Sequence, residues 1–119
     1  MPRACGGRPK TEELSETMKR LSTSPYREIL SAWRRFTAAA HADGTVSRKH
    51  KELIAVAISV VKGCERCISY HVRSAMGAGA TTDEITEAAF VAVIMDGGPA
   101  LAHMGAVLAA IEAHGEEET

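Results

Sequence analysis

Two cysteines, a histidine and a glutamate are the side chains of this 119-residue chain that are best suited to do chemistry. Cys64 and Cys67 have the Cys-x-x-Cys spacing, which lets two thiols close a disulfide. His71 follows one helical turn after Cys67, and Glu52 lies on the apolar run before the pair. An imidazole and a carboxylate within reach of thiols supply the proton transfer that thiol chemistry needs. The combination indicates redox catalysis.

The chemistry depends on how a thiolate is generated, because a free thiol with a pKa of about 8.5 is mostly protonated at neutral pH. His71 can accept the proton, and Glu52 can orient the imidazole. The thiolate would attack a peroxide oxygen to give a sulfenic acid, the second cysteine would close the disulfide, and a dithiol reductant would reopen it. A helix N-terminus favours Cys64 as the attacking thiol, whereas His71 and Glu52 favour Cys67. The order stays open.

Helices are the elements that must position these residues. The chain is rich in alanine and only 4% aromatic, which favours close-packed helices over a sandwich or barrel. Helical spacing and stop signals predict an all-α fold of about six helices in one domain over residues 11–115. A flexible tail over residues 1–10, which holds Cys5, precedes it. The predicted helices cover about 12–21, 26–40, 47–62, 64–77, 81–95 and 100–114.

The third predicted helix is apolar nearly all round, which indicates burial at the domain centre or between subunits. Its main stripe comprises Leu53, Ile54, Ala57, Ile58 and Val61, and a second stripe on the flank comprises Val56 and Val60. Glu52 and Ser59 are its polar exceptions. A buried Glu52 needs a partner for its charge. Gly63 folds the fourth helix back along the third, and counting outward from that turn puts Glu52 within one turn of His71.

Composition and spacing argue against several other classes of function. The net charge of −1 does not indicate a positively charged surface that would bind nucleic acid. No secretory signal and no membrane span are apparent, so a cytoplasmic location is expected. A zinc site would need four ligands, and the motif offers two cysteines and His71, so we predict no metal and no cofactor. The remaining histidines are expected to be solvated or capping, with His103 the exception because its helix is otherwise apolar: His41, His50, His103 and His114.

The chain resembles the AhpD-like branch of the carboxymuconolactone decarboxylase family. The resemblance rests on the run from Lys51 to Val61, then Gly63-Cys64-Glu65-Arg66-Cys67, His71 and Gly79-Ala80-Thr81, within residues 47–112. It implies an all-α oligomer, often a trimer or hexamer, with alkylhydroperoxide reductase activity. It also implies that a lipoyl-bearing protein supplies the reducing equivalents. Carried over by position, Cys64 and Cys67 are the redox pair, and Glu52 and His71 are the proton relay.

One position departs from the pattern of the characterised peroxidases, which have a histidine immediately before the second cysteine. This chain has Arg66 there, and an arginine can stabilise a thiolate but cannot carry a proton at neutral pH.

Two other functions are alternatives to the peroxidase. One is a decarboxylase-like enzyme acting on a lactone acid, for which the thiols would be dispensable. The other is a non-catalytic helical oligomerisation module.

Overall fold

The computed structural model describes the backbone of residues 10–118 and the side chains of residues 13–115, so Cys5 and residues 1–9 of the predicted tail lie outside the described residues. All the regular elements in this range are helices, which confirms the all-α prediction. In chain order they are α1 (Lys10–Ser22), α2 (Arg27–His41), α3 (Arg48–Lys62), α4 (Glu65–Gly77), α5 (Thr82–Asp96), α6 (Gly98–Ala102) and α7 (Met104–Glu118). None of these helices is long and apolar enough to cross a membrane.

The chain divides into two compact units, the first ending at Ala40 and the second beginning at His41. The first unit holds α1 and nearly all of α2, and no residue of α2 is buried. The large apolar side chains Ile29, Trp33 and Phe36 of α2 are each more than half exposed. A single domain over residues 11–115 stays a prediction.

The second unit contains the core. In it α3 packs against α4 and α5, and α7 packs against α4. The fully buried valine and isoleucine side chains of α3, α4 and α5 contribute about 1.5–3 kcal/mol each. Small alanines let the helix axes approach closely. The core residues with no exposed surface are Val56, Val60, Ile68, Val72, Ala75, Ile85, Ala89, Ala100 and Val107.

Local capping sets the ends of the helices that carry the candidate site. Ser47 caps the N-terminus of α3, where its Oγ accepts a hydrogen bond from the backbone N–H of His50. Gly63 ends α3 in the left-handed region with φ of 65°, which a glycine adopts without steric cost. Thr81 and Glu84 form the capping box of α5. The helix ends predicted near residues 47, 62 and 81 are confirmed.

The buried face of α3 differs from the predicted one. Its buried residues are Glu52, Val56, Ser59 and Val60, because α4 and α5 pack on the flank of the helix. Burial at the domain centre, one of the two locations predicted for this helix, therefore does not hold for several members of the main stripe, which stay substantially exposed: Ile54 at 54%, Ile58 at 52% and Val61 at 44%. The alternative, that this stripe lies between subunits, stays a prediction.

The last predicted helix is interrupted, so it forms two elements. The backbone N–H of His103 donates to the carbonyl of Ala100, a tighter turn than the α-helix, and the ring Nδ1–H donates to the carbonyl of Pro99 at 2.9 Å. These bonds end α6 at Ala102, and α7 begins at Met104. The prediction of one continuous helix from residue 100 was wrong at this point.

Candidate active site

The two cysteines lie at the start of α4, joined by a disulfide between Cys64 and Cys67 with Cα atoms 5.2 Å apart. Cys64 is the N-cap residue, and its Sγ accepts the backbone N–H of Cys67 at 3.2 Å. Both side chains are partly buried. The pair thus occupies the end of the helix where unpaired N–H groups and the helix dipole stabilise negative charge on sulfur.

The carboxylate of Glu52 is buried on α3, with 1% of its surface exposed. Its Oε1 lies 2.9 Å from Nδ1 of His71, which stands one turn after Cys67 on α4. The predicted contact between these two residues is confirmed. It follows from the Gly63 turn, which sends α4 back along α3 so that residues at similar distances from the turn meet.

A second imidazole completes the environment of the carboxylate. Nδ1 of His41 lies 3.1 Å from Oε2 of Glu52, so each carboxylate oxygen has one histidine partner. The expectation that His41 is merely solvated or capping was wrong. The two imidazole rings are 6.1 Å apart at 66°, so they do not stack but approach the carboxylate separately.

The segment between His41 and α3 is held to the start of that helix by two hydrogen bonds. The carboxylate of Asp43 accepts the backbone N–H of Arg48 at 2.6 Å, and Lys51 Nζ donates to the carbonyl of Ala42 at 2.7 Å. Within the turn, the N–H of Gly44 donates to the carbonyl of Val46. These bonds fix the backbone beside His41 and so help to hold its ring near Glu52.

Sequence reasoning missed His41 because this connection is irregular, and helical counting gives no position for its side chain. One signal was available. A buried carboxylate has two oxygens, and His71 satisfies one of them, so a second donor was required. The nearby histidine that precedes α3 was a candidate for that donor.

Two ring side chains lie beside the site, Tyr70 on α4 and His103 between α6 and α7. The ring of Tyr70 lies edge-on to His71 with centroids 5.0 Å apart, which restricts the rotation of the imidazole. The ring of His103 lies against Gly63, where a Cβ would be 3.0 Å from its Cε1 and Nε2. His103, the predicted exception, therefore packs on the turn that precedes Cys64. His50 has the expected capping position, with Nδ1 2.7 Å from Ser47 Oγ.

Within the described side chains, no group of three or more His, Cys, Asp and Glu residues is arranged to hold a metal ion. What the geometry offers instead is a dithiol–disulfide pair followed by an imidazole whose Nδ1 is engaged by a buried carboxylate. When Nδ1 carries the proton, Nε2 of the ring is free to act as a base. This is the arrangement of an acid–base group prepared for thiol chemistry.

Comparison with known proteins agrees with the helical architecture. Residues 27–112 match the carboxymuconolactone decarboxylase family. The chain belongs to this family. A curated protein from the cox locus of Paracoccus denitrificans is 44% identical over 71 residues, which are 60% of this chain and 64% of that protein. The match thus spans less than two thirds of that relative's length. A second relative, from Cupriavidus necator, is 36% identical over 71% of this chain and 74% of its own.

Solved structures of the family have the same fold. A carboxymuconolactone decarboxylase family protein from Legionella pneumophila superimposes with a TM-score of 0.82 at 32% identity, covering 87% of this chain and 92% of its own. A family protein from Thermotoga maritima gives a TM-score of 0.77 at 26% identity, covering 91% of each chain.

Proposed function

We propose that this family member is a thiol-dependent peroxidase of the AhpD-like branch, which reduces alkyl hydroperoxides through a cycle of the Cys64–Cys67 pair. The observation that carries this proposal is the disulfide at the N-terminus of α4, followed one turn later by an imidazole that is hydrogen-bonded to buried Glu52. The Thermotoga maritima relative, described as having a suggested part in the antioxidative response, is consistent with it.

The proposed cycle has three balanced steps. His71 takes the proton of the attacking thiol, and the thiolate displaces an alkoxide from the hydroperoxide, which leaves a sulfenic acid on sulfur and an alcohol once the alkoxide is protonated. The second thiol attacks the sulfenic acid, forms the disulfide and releases water. A dithiol reductant then returns two electrons and two protons by exchange and is itself oxidised to a disulfide. The resemblance to AhpD-like proteins suggests a lipoyl-bearing protein as this reductant.

We assign the first attack to Cys67. It stands one turn before His71, so the base that Glu52 orients lies on its own helix face. Cys64 receives the N–H of Cys67 and lies at the helix terminus, a position suited to the resolving thiol that attacks the sulfenic acid.

The test uses cumene hydroperoxide in a Cys5→Ser background, so that only the two motif thiols are counted. In the parent protein, each molecule of hydroperoxide consumed is expected to oxidise both motif thiols. Cys64→Ser is expected to consume one equivalent and to stop as a sulfenic acid that dimedone traps on residue 67. Cys67→Ser is expected to be unreactive. If both thiols of the parent persist in excess peroxide, the peroxidase assignment fails.

Two further outcomes would favour the alternative functions. Turnover of a lactone acid by a variant that lacks both cysteines would favour a decarboxylase-like enzyme. Full assembly without any thiol reactivity would favour an oligomerisation module. The paired partners of Glu52 weigh against the module, because a buried carboxylate with two imidazoles is not needed for packing alone.

We also propose that the protein is a homotrimer or homohexamer located in the cytoplasm. An apolar groove of about 440 Å³ lies between α3 and α5 in the second unit. Such exposed apolar surface is typical of an interface between subunits. Its lining includes Leu53, Ile54, Ile58, Val61, Val91 and Met95. Light scattering at micromolar concentration tests the assembly, and a monomer would contradict it.

A further inference from the structure

His41 is a residue that the motif does not include and whose position the proposed cycle does not use. Its Nδ1 lies 3.1 Å from Oε2 of Glu52, on the carboxylate oxygen that His71 leaves unbound. It is the last residue of α2 and the first of the second unit. The contact with Glu52 therefore lies within the compact unit that holds the cysteines.

Exposure increases outward along these three side chains. Glu52 is 1% exposed, His71 is 21% exposed and His41 is 35% exposed. The buried carboxylate thus meets imidazoles on both oxygens, and His41 is the more exposed of the two. A proton that is taken from a thiol into this cluster must finally reach water, and a buried carboxylate cannot exchange it with solvent directly.

We propose that His41 is a positioning residue of the same site, which holds the second oxygen of Glu52 and exchanges the proton of the cluster with water. This inference rests on the proposed function in assigning Glu52 and His71 to the relay. A proton that arrives from water at Nε2 of His41 lets its Nδ1 proton move to Oε2 of Glu52. When His71 carries its proton on Nε2 and its Nδ1 is bare, the neutral carboxyl group, after its proton has moved from Oε2 to Oε1, can give that proton to Nδ1 while the Nε2 proton goes to a leaving group. The same transfers in reverse carry a thiol proton out.

The charged and aromatic neighbours are compatible with this role. Lys51 on α3 donates to the carbonyl of Ala42, next to His41, and so brings a cation close to the outer end of the cluster. Asp43 is engaged by the backbone of Arg48 at the start of α3. From α4, Tyr70 contacts the edge of the His71 ring. None of these contacts occupies a carboxylate oxygen of Glu52.

The test compares His41→Ala with His41→Asn. Asparagine keeps an N–H donor near the position of Nδ1 but cannot carry a proton. His50→Asn is the matched control, because it removes an imidazole from α3 that bonds to Ser47 and not to Glu52. Circular dichroism and thermal melting establish that each variant is folded.

Two single-turnover rates are measured, the oxidation of the dithiol by cumene hydroperoxide and the reduction of the disulfide by dithiothreitol. Both rates are expected to be at least about tenfold lower in each His41 variant than in the wild type. Added imidazole is expected to restore the rates of His41→Ala. The rates of His50→Asn are expected to match those of the wild type. A wild-type rate for His41→Asn would overturn the proton-exchange role, and a wild-type rate for His41→Ala would overturn the inference entirely. If peroxide is not reduced but the dithiothreitol reaction depends on His41, the peroxidase assignment fails while the inference stands.

Discussion

The Nδ1 atom of His71 lies 2.9 Å from Oε1 of Glu52, so α3 and α4 are joined by a hydrogen bond to a carboxylate that is 1% exposed. A buried carboxylate contributes little net stability unless its partners compensate for lost hydration. The pair is therefore better explained by chemistry than by packing, and its removal is expected to affect rates more than stability.

Glu52→Gln is expected to lower the rate of dithiol oxidation by about 100-fold or more, because an amide cannot stabilise a protonated imidazole. The melting temperature is expected to change little, since glutamine keeps the shape and removes a buried charge. Stopped-flow measurement of peroxide consumption tests the expected loss of rate, and thermal melting tests the expected stability. An unchanged rate in a folded variant would remove Glu52 from the relay.

Arg66→His is expected to increase the rate of peroxide reduction, because it places a proton acceptor immediately before Cys67, as in the AhpD-like peroxidases. A histidine can exchange a proton near neutral pH, whereas an arginine cannot. Arg66→Lys is the matched control, which keeps a positive charge without the imidazole. A rate for Arg66→His at or below that of Arg66→Lys would show that the charge matters more than the proton acceptor.

Gly63→Ala is expected to destabilise the fold by at least about 1–2 kcal/mol, because residue 63 has φ of 65°, a region that is costly for residues with a Cβ. The added Cβ would also stand 3.0 Å from the ring of His103. Gly77→Ala is the matched control. It has no atom within 4 Å of the added Cβ and lies on α4, where alanine favours the helix. Urea denaturation of both variants tests the difference, and equal stabilities would contradict it.

The stability of the fold is expected to depend on Glu84 in a pH-dependent way. The pKa of Glu84 lies below its ordinary value of 4.5, first because the backbone N–H of Thr81 donates to its carboxylate and next because Lys49 lies 3.1 Å from it. A folded-state pKa below the unfolded one means that the charged form stabilises the fold at pH above the unfolded pKa. This contribution is lost as the pH falls through the folded-state value.

Glu84→Gln is therefore expected to lower the melting temperature at neutral pH and to differ less from the wild type in acid. Glu87→Gln, on the same helix but beyond the capping box, serves as the control. A difference between Glu84→Gln and the wild type that stays constant from neutral pH into acid would contradict a role for the charge.

The parts of the fold that the sequence predicted are those set by local rules. Ser47, Gly63 and the Thr81–Glu84 box end their helices through bonds to residues within a few positions. The contact of Glu52 with His71 was also predictable, because two straight helices joined by a short turn bring equally spaced residues together.

The parts that were not predicted depend on tertiary packing or on irregular backbone. Which face of α3 is buried depends on where α4 and α5 lie, and the hydrophobic stripe alone does not specify that. The break at His103 arises from a ring-to-carbonyl bond that no periodicity signals. His41 is the last residue of α2, and the connection between it and α3 is irregular, so helical counting could not place its side chain against Glu52.

The position of the disulfide has a consequence for the energetics of the redox cycle. Cys64 and Cys67 are separated by three positions within the first turn of one helix, so oxidation closes a very short loop. The entropy that a disulfide removes from the unfolded chain grows with loop length, which places this one toward the small end of the usual range of about 2–4 kcal/mol. Oxidation is thus expected to stabilise the fold less than a disulfide that closes a long loop would. The free energy of the thiol–disulfide reaction is then determined mainly by the sulfur chemistry. Little of it comes from a change in the stability of the helical fold.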